Sequence, residues 1–149
     1  MQKIYTSLGL MSGTSGDGVD ASIINSNGID EFEVIKDKFF EYDSHIYKNF
    51  HSLKDKIFNL NDLTKLSKDL MELERKITLF NAKIIKEINN NQNTIIGFHG
   101  QTIYHNSEEK ISKQLGDGRL LYQLTQKKII FNFRKNDLQN GGEGAPLAS

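Results

Sequence analysis

The sequence has no cysteine. That removes disulfides, thiolate nucleophiles and cysteine metal sites, and it fits a reducing compartment. Proline is nearly absent as well: the one residue is Pro146, and no proline-rich or serine-rich stretch reads as a linker. Nor is there an excess of charge, because Lys plus Arg and Asp plus Glu balance at 19 each, leaving no net field to steer the chain toward nucleic acid or an anionic membrane. No apolar run approaches the ~20 residues that a membrane span requires, and residues 1–10 carry polar side chains throughout, unlike a signal peptide. The expectation is a cytoplasmic protein with neither a nucleic-acid nor a membrane partner. Internal repeats are lacking too. A chain of 149 residues fits one domain that buries roughly two-thirds of its unfolded surface.

What the chain does have is an unusual stretch at residues 8–20, Leu-Gly-Leu-Met-Ser-Gly-Thr-Ser-Gly-Asp-Gly-Val-Asp. Gly13, Gly16 and Gly18 free the backbone, and Thr14 and Ser15 add hydroxyl donors beside the amides. Successive N–H groups in such a turn make a concave anion site without any lysine. Asp17 and Asp20 would repel a bare polyphosphate, which calls for a divalent cation held through water between carboxylate and phosphate. Two commoner phosphate loops are excluded by what surrounds the glycines. A Walker A loop ends in Gly-Lys-Ser/Thr, and no lysine is present here. A dinucleotide fingerprint opens a helix, whereas residues 19–24 (Val-Asp-Ala-Ser-Ile-Ile) start in period-2 alternation and are rich in β-branched residues. The loop therefore joins two strands, the first over residues 3–10. The plainer alternative is a glycine-rich hairpin with no ligand.

Asn27-Gly28 is a hairpin signal, and residues 29–42 supply a third strand with Phe32, Val34, Ile35, Phe39 and Phe40 as candidate inward residues. Strand, phosphate loop, strand, turn, strand is the opening of the actin, sugar kinase and Hsp70 nucleotide-binding fold. Ser44 can cap a helix whose apolar face is Ile46, Phe50, Leu53 and Ile57. Asn61-Asp62 offers a second cap to a long helix striped by Leu63, Leu66, Leu70, Leu73, Ile77, Phe80, Ile84 and Ile88, which ends in the polar tract 89–93. Packing on the sheet is the expected role of that stripe; a coiled-coil homodimer is the alternative. His45 and His51, six apart, are expected on the surface and not as a metal pair. Residues 94–98 (Thr-Ile-Ile-Gly-Phe) read as a central strand delivering His99, Gly100, Gln101 and Thr102 to its carboxyl end, where open α/β sheets bind ligands. The alternative for His99 is a buried imidazole satisfied by a carbonyl. Residues 104–113 read as a solvated loop, Gly116-Asp117-Gly118 as a tight turn, 119–126 as a short helix with Leu120, Leu121 and Leu124 inward, and 128–133 as a strand. Arg134 suits bidentate oxygen recognition, Pro146 can open a helix, and Gly141, Gly142 and Gly144 suggest close backbone approach. Read plainly, the same segment is a glycine-rich loop with an Arg134–Asp137 surface pair.

Three blocks in this order resemble the N-terminal part of the anhydro-N-acetylmuramic acid kinases: residues 9–20, His-Gly-Gln-Thr at 99–102, and Phe-Arg-Lys-Asn-Asp-Leu-Gln-Asn-Gly-Gly-Glu-Gly-Ala-Pro-Leu at 133–147. The middle block is weak alone; the outer two are highly specific. The resemblance implies an α/β fold of the actin-like, sugar kinase and Hsp70 (ribonuclease H-like) ATPase class. Residues 1–131 would form the N-terminal lobe, a mixed sheet with covering helices and a helical segment 44–90, and 132–149 would start the interlobe, substrate-side segment, the second lobe being absent. It implies ATP and Mg²⁺ as cofactors and an amino sugar as substrate. The activity implied is phosphorylation of 1,6-anhydro-N-acetylmuramic acid, with hydrolytic opening of the anhydro ring to N-acetylmuramic acid 6-phosphate. Gly13, Thr14, Ser15, Gly16, Asp17, Gly18, Val19 and Asp20 match the ATP-phosphate loop, with Asp17 reaching the metal through water. His99, Gly100, Gln101, Thr102, Arg134, Asp137, Gly141 and Gly142 match the sugar side. The family's water-activating aspartate, second phosphate loop and adenosine segment are expected beyond Ser149, so the chain alone should lack its general base; a partner chain supplying the missing lobe is one way to complete it. A non-catalytic nucleotide- or sugar-binding module is the alternative. Three departures stand out. Gly16 replaces a bulky apolar residue and is expected to loosen the turn, Asn132 replaces an aspartate, and Glu143 replaces a glutamine.

Overall fold

The computed structural model describes residues 3–27, 30–88 and 94–131. The expected first hairpin is present as β1 (Tyr5–Met11) and β2 (Gly18–Ser26), antiparallel with Met11 opposite Asp20. Alternation sets its burial: Leu8 and Leu10 from β1 and Val19, Ala21 and Ile23 from β2 face the core, and the residues between them are more exposed.

β3 (Phe32–Glu41) pairs antiparallel with β2 and forms one edge of the sheet. Of the Asn-Gly signal, Asn27 is described, and its side-chain oxygen accepts from the amides of Asp30 and Glu31 at 3.1 Å; Gly28 lies outside the described residues. The expectation that Phe32, Val34, Ile35 and Phe39 point inward is corrected: they are 72, 52, 51 and 50 % exposed, and Phe40 is partly buried. The register explains this. Val19, Ala21 and Ile23 face Phe40, Lys38 and Lys36, then Ile35 stands as an extra residue before Ile24 meets Val34, so the strand's apolar residues fall on the face turned from the core.

α1 (Ser44–Lys54) buries Ile46, Phe50 and Leu53 as the spacing requires, and Ile57 follows into the core. Its cap is Asp43, not Ser44, with the carboxylate accepting from Ile46 N at 2.8 Å. The expected long helix is two. α2 (Leu60–Lys65) is capped by Asn59 in a reciprocal box with Asp62, not by Asn61-Asp62, and ends at Leu66 (φ −100°, ψ 14°); α3 (Ser67–Ile88) then carries Leu70, Leu73, Ile77, Ile84 and Ile88 into the core. The tract 89–93 lies outside the described residues.

β4 (Ile95–Asn106) runs parallel beside β1 as an inner strand of a sheet ordered β3-β2-β1-β4-β5. It is longer than the sequence suggests. Where a loop is expected over 104–113, β4 continues and turns back into β5 (Ile111–Leu115), pairing antiparallel. α4 (Gly118–Thr125) is capped by Asp117, buries Leu121 fully and holds Leu120 and Leu124 partly buried, and β6 (Ile129–Ile130) pairs parallel with β4 as a two-residue strand. No helix among the described residues is long and apolar enough to cross a membrane.

Candidate functional site

The bend between β1 and β2 is held from behind. The carbonyl of Gly13 accepts from Gln101 Nε2 at 2.8 Å and from Gly16 N at 3.2 Å; that of Thr14 accepts from Lys54 Nζ at 3.0 Å; that of Asp17 accepts from Tyr42 N at 2.9 Å. In a trans peptide plane, C=O and the following N–H point opposite ways. Fixing the carbonyls of Gly13 and Thr14 on the protein side therefore turns the amides of Thr14 and Ser15 away from it. Neither amide, nor that of Asp17, has an acceptor among the described residues. Gly13, Thr14, Ser15 and Asp17 are exposed, so the donors stand at the surface. Adjacent main-chain N–H groups left without protein acceptors are what an anion-binding bend requires.

Gly16 is the pivot. Its φ is +70°, and a Cβ there would collide with Cε2 of Phe50, which is fully buried. The expectation that Gly16 loosens the bend is corrected: the ring of Phe50 occupies the space a side chain would take, and the bend is clamped. Beside it, His51 is half-buried against Tyr47 and Phe50, its Nε2 enclosed with no partner among the described residues, so it is not the plain surface residue expected. His45 is exposed, and no cluster of metal-ligating side chains occurs among the described residues.

Gly18, Val19 and Asp20 belong to β2 rather than to the bend. Val19 is a core residue opposite Phe40, and Asp20 is exposed between Met11 and Phe39.

The tetrad 99–102 lies within β4, not at its end. It marks the place where the strand leaves β1 and begins to pair with β5. Leu10 faces Phe98 but Met11 faces Gly100, so His99 is an extra residue, a bulge of the kind that re-aims a side chain. Gly100 follows with φ +78°, and a Cβ there would press on the Leu115 carbonyl, so the position is open to glycine. His99 is 9 % exposed, and Nδ1 donates to the Gly100 carbonyl at 3.0 Å, which puts its proton on Nδ1. Gln101 is fully buried, donating to Gly13 and accepting from the Tyr42 hydroxyl at 3.1 Å. Ser12 Oγ stands 3.2 Å from the same hydroxyl. Since the single phenolic proton goes to Gln101, Ser12 is the donor. Burial pushes the Tyr42 phenol up to about 12, with the Ser12 hydrogen bond opposing part of the shift. Thr102 is buried, its hydroxyl accepting from Gln114 Nε2 at 3.1 Å.

The structure thus joins the first two sequence blocks through Gln101 and Gly13. Arg134, Asp137, Gly141 and Gly142, with Asn132 and Glu143, lie outside the described residues. Sequence reasoning missed Ser12, Tyr42, Phe50 and Lys54 as supports of the bend. No spacing rule finds a contact like Lys54 to Thr14 across 40 residues.

A clamped bend with outward amides, set where two inner strands of a six-stranded mixed sheet meet helices, defines a mixed α/β domain compatible with the sugar-kinase type. Comparison with known proteins narrows the class. The family model described as anhydro-N-acetylmuramic acid kinase matches residues 5–149. Proteins named anhydro-N-acetylmuramic acid kinase are similar to nearly the whole chain: one from Pelagibacter ubique at 62 % identity over 99 % of it, one from Agrobacterium fabrum at 33 % over 99 %, and one from Prochlorococcus marinus at 36 % over 95 %. The chain belongs to the anhydro-N-acetylmuramic acid kinase family. It spans about 40 % of the length of these relatives.

Proposed function

We propose that this chain forms the N-terminal lobe of an ATP-dependent kinase acting on 1,6-anhydro-N-acetylmuramic acid, in an actin-like fold, and that the bend at residues 13–17 grips the ATP phosphates. The observation carrying this reading is the outward set of the Thr14 and Ser15 amides, with protein donors occupying the carbonyls of Gly13 and Thr14. Phosphoryl transfer is mostly positioning and stabilisation of charge, and donors fixed in advance need no reorganisation when that charge shifts. The hydroxyls of Thr14 and Ser15 add two further donors at the same surface. Asp17 and Asp20 are exposed carboxylates beside the bend, which fits Mg²⁺ held largely by phosphate and water with one protein carboxylate, Asp17, in its outer sphere. The ion would supply neutralisation of the phosphate charge.

On the sugar side, the bulge sets the His99 imidazole, whose Nδ1 donates to the Gly100 carbonyl. Gln101 serves the sugar less directly than a contact residue would, because its amide is already spent on Gly13 and Tyr42. Arg134, Asp137, Gly141 and Gly142 complete the sugar side in this proposal. Water opens the anhydro ring at the anomeric carbon, and the freed O6 receives the γ-phosphoryl group. The base that takes the water's proton is assigned to a segment outside residues 1–149, in the chain's own continuation or in a partner. Cell-wall sugar recycling in the cytoplasm is the matching role.

Calorimetric titration of the purified chain with ATP and MgCl₂ tests the phosphate grip: saturable heat is expected, and its absence would refute the reading. The same sample is expected to form no N-acetylmuramic acid 6-phosphate from the anhydro sugar. Robust product formation by this chain alone would overturn the placement of the base.

A further inference from the structure

Residues 12–17 carry no lysine or arginine, and a cation reaches the bend from α1. Lys54, the last residue of α1, donates from Nζ to the Thr14 carbonyl at 3.0 Å, and its ammonium lies 5.7 Å from the centre of the Phe50 ring. Phe50 in turn is the ring packed on Gly16. One turn of one helix therefore fixes the bend twice, by shape at Gly16 and by charge at Thr14.

We propose that Lys54 is a positioning residue for the phosphate-binding bend, acting on the Thr14–Ser15 peptide from its carbonyl side. The geometry separates it from the lysine of a Walker loop, which touches phosphate directly. Here the cation sits behind the peptide plane, on the oxygen, and the N–H of Ser15 projects from the opposite edge. Two effects follow. The hydrogen bond stops that peptide from flipping, which would present a carbonyl to the anion in place of a donor. A full positive charge on the oxygen also draws electron density through the amide and makes the Ser15 N–H a stronger donor. Held by the Phe50 ring as well as by the carbonyl, the ammonium stays in place when a ligand arrives. This role rests on the reading of the bend as a phosphate site.

The test uses the whole chain, Mg-ATP as probe, and the backbone amide resonances of Ser15 and Asp17. In the unsubstituted protein both amides are expected to shift on titration. In Lys54→Met the Ser15 shift on titration should largely disappear, the Asp17 shift should remain, and the dissociation constant should rise about tenfold, the scale of one charge-assisted hydrogen bond. Lys54→Arg should return the Ser15 response and bring affinity within about threefold. Lys54 lies at the partly exposed end of its helix, so melting temperatures of all three proteins should agree within a few degrees. An unchanged Ser15 response and affinity in Lys54→Met, or a folded Lys54→Arg protein that lacks the response, overturns the role of Lys54 and leaves the phosphate site standing. No response of either amide in the unsubstituted protein removes the phosphate site and this inference with it.

Discussion

The side-chain amide of Gln101 donates to the carbonyl of Gly13 across 2.8 Å, tying the middle of β4 to the first residue of the bend, 88 positions earlier. The same amide receives the Tyr42 hydroxyl, so one buried side chain ties the bend to the residue that follows β3. Gln101→Leu keeps the volume and removes both bonds. It leaves the Gly13 carbonyl without that donor and a buried phenol without its acceptor, at a cost of about 2 kcal/mol. A urea midpoint lowered accordingly, with weaker Mg-ATP binding, is expected; an unshifted midpoint would contradict the tie.

Tyr42 predicts a particular pH dependence. Burial raises its folded-state value from 10 to about 12, so the folded protein holds the phenolic proton more tightly than the unfolded chain does. Stability from this group is fully present below pH 10 and is lost as pH rises toward 12, by roughly 3 kcal/mol at 1.36 kcal/mol per unit. Tyr42→Phe lacks that loss. It should be about 1 kcal/mol less stable at pH 7, from the orphaned Gln101 oxygen, and the difference should shrink and reverse above about pH 11. Denaturation curves of both proteins across pH 7 to 12 provide the comparison, lysine titration being common to both.

Gly16→Leu restores the bulky residue type that the family resemblance leads one to expect, yet here it should fail. It combines positive φ with a collision against Phe50, a loss of about 3 kcal/mol. Removing the ring in Gly16→Leu/Phe50→Ala should give a protein more stable than the two single losses added together, by about 1 kcal/mol or more. Strict additivity in thermal melts would mean the two positions do not compete for the same space.

Thr14→Ala removes a hydroxyl that has no protein partner among the described residues and leaves the bend's backbone bonds intact. Folding stability should stay within ~0.5 kcal/mol. In the complete kinase the variant is expected to lose about 100-fold in turnover, the scale of a preorganised donor. Equal turnover would remove Thr14 from the site.

Much of the fold can be read from periodicity, and the departures have identifiable causes. The alternation at residues 19–24 and the four-three spacing of Ile46, Phe50 and Leu53 report burial directly, because each is local to one element. β3 misled for the opposite reason: its apolar residues are as numerous as a buried strand's, but the extra residue Ile35 and an edge position put them on the outer face, and neither is visible within the strand. Asp43 and Asn59 outcompete Ser44 and Asn61 as caps because the side chain that reaches the third amide decides the helix start. At the site, the glycines and hydroxyls of the bend stand out in the sequence, while Tyr42, Phe50, Lys54 and Gln101 support it through contacts that span 25 to 88 residues, where sequence pattern carries no signal.

The outermost strand has a consequence for how the molecule behaves in solution. β3 offers ten residues of one-sided backbone, with Phe32, Val34 and Phe39 uncovered, which is the template on which strands of separate molecules add to one another. Glu33, Lys36, Asp37, Lys38 and Glu41 interrupt it, and a second copy laid alongside would bring like charges together in some registers and desolvate them in all. Colloidal behaviour thus hangs on a handful of ionised groups along one rim: neutralising Lys36 and Lys38 together should turn a dispersed protein into one that self-associates, visible as growing light scattering at constant helix content.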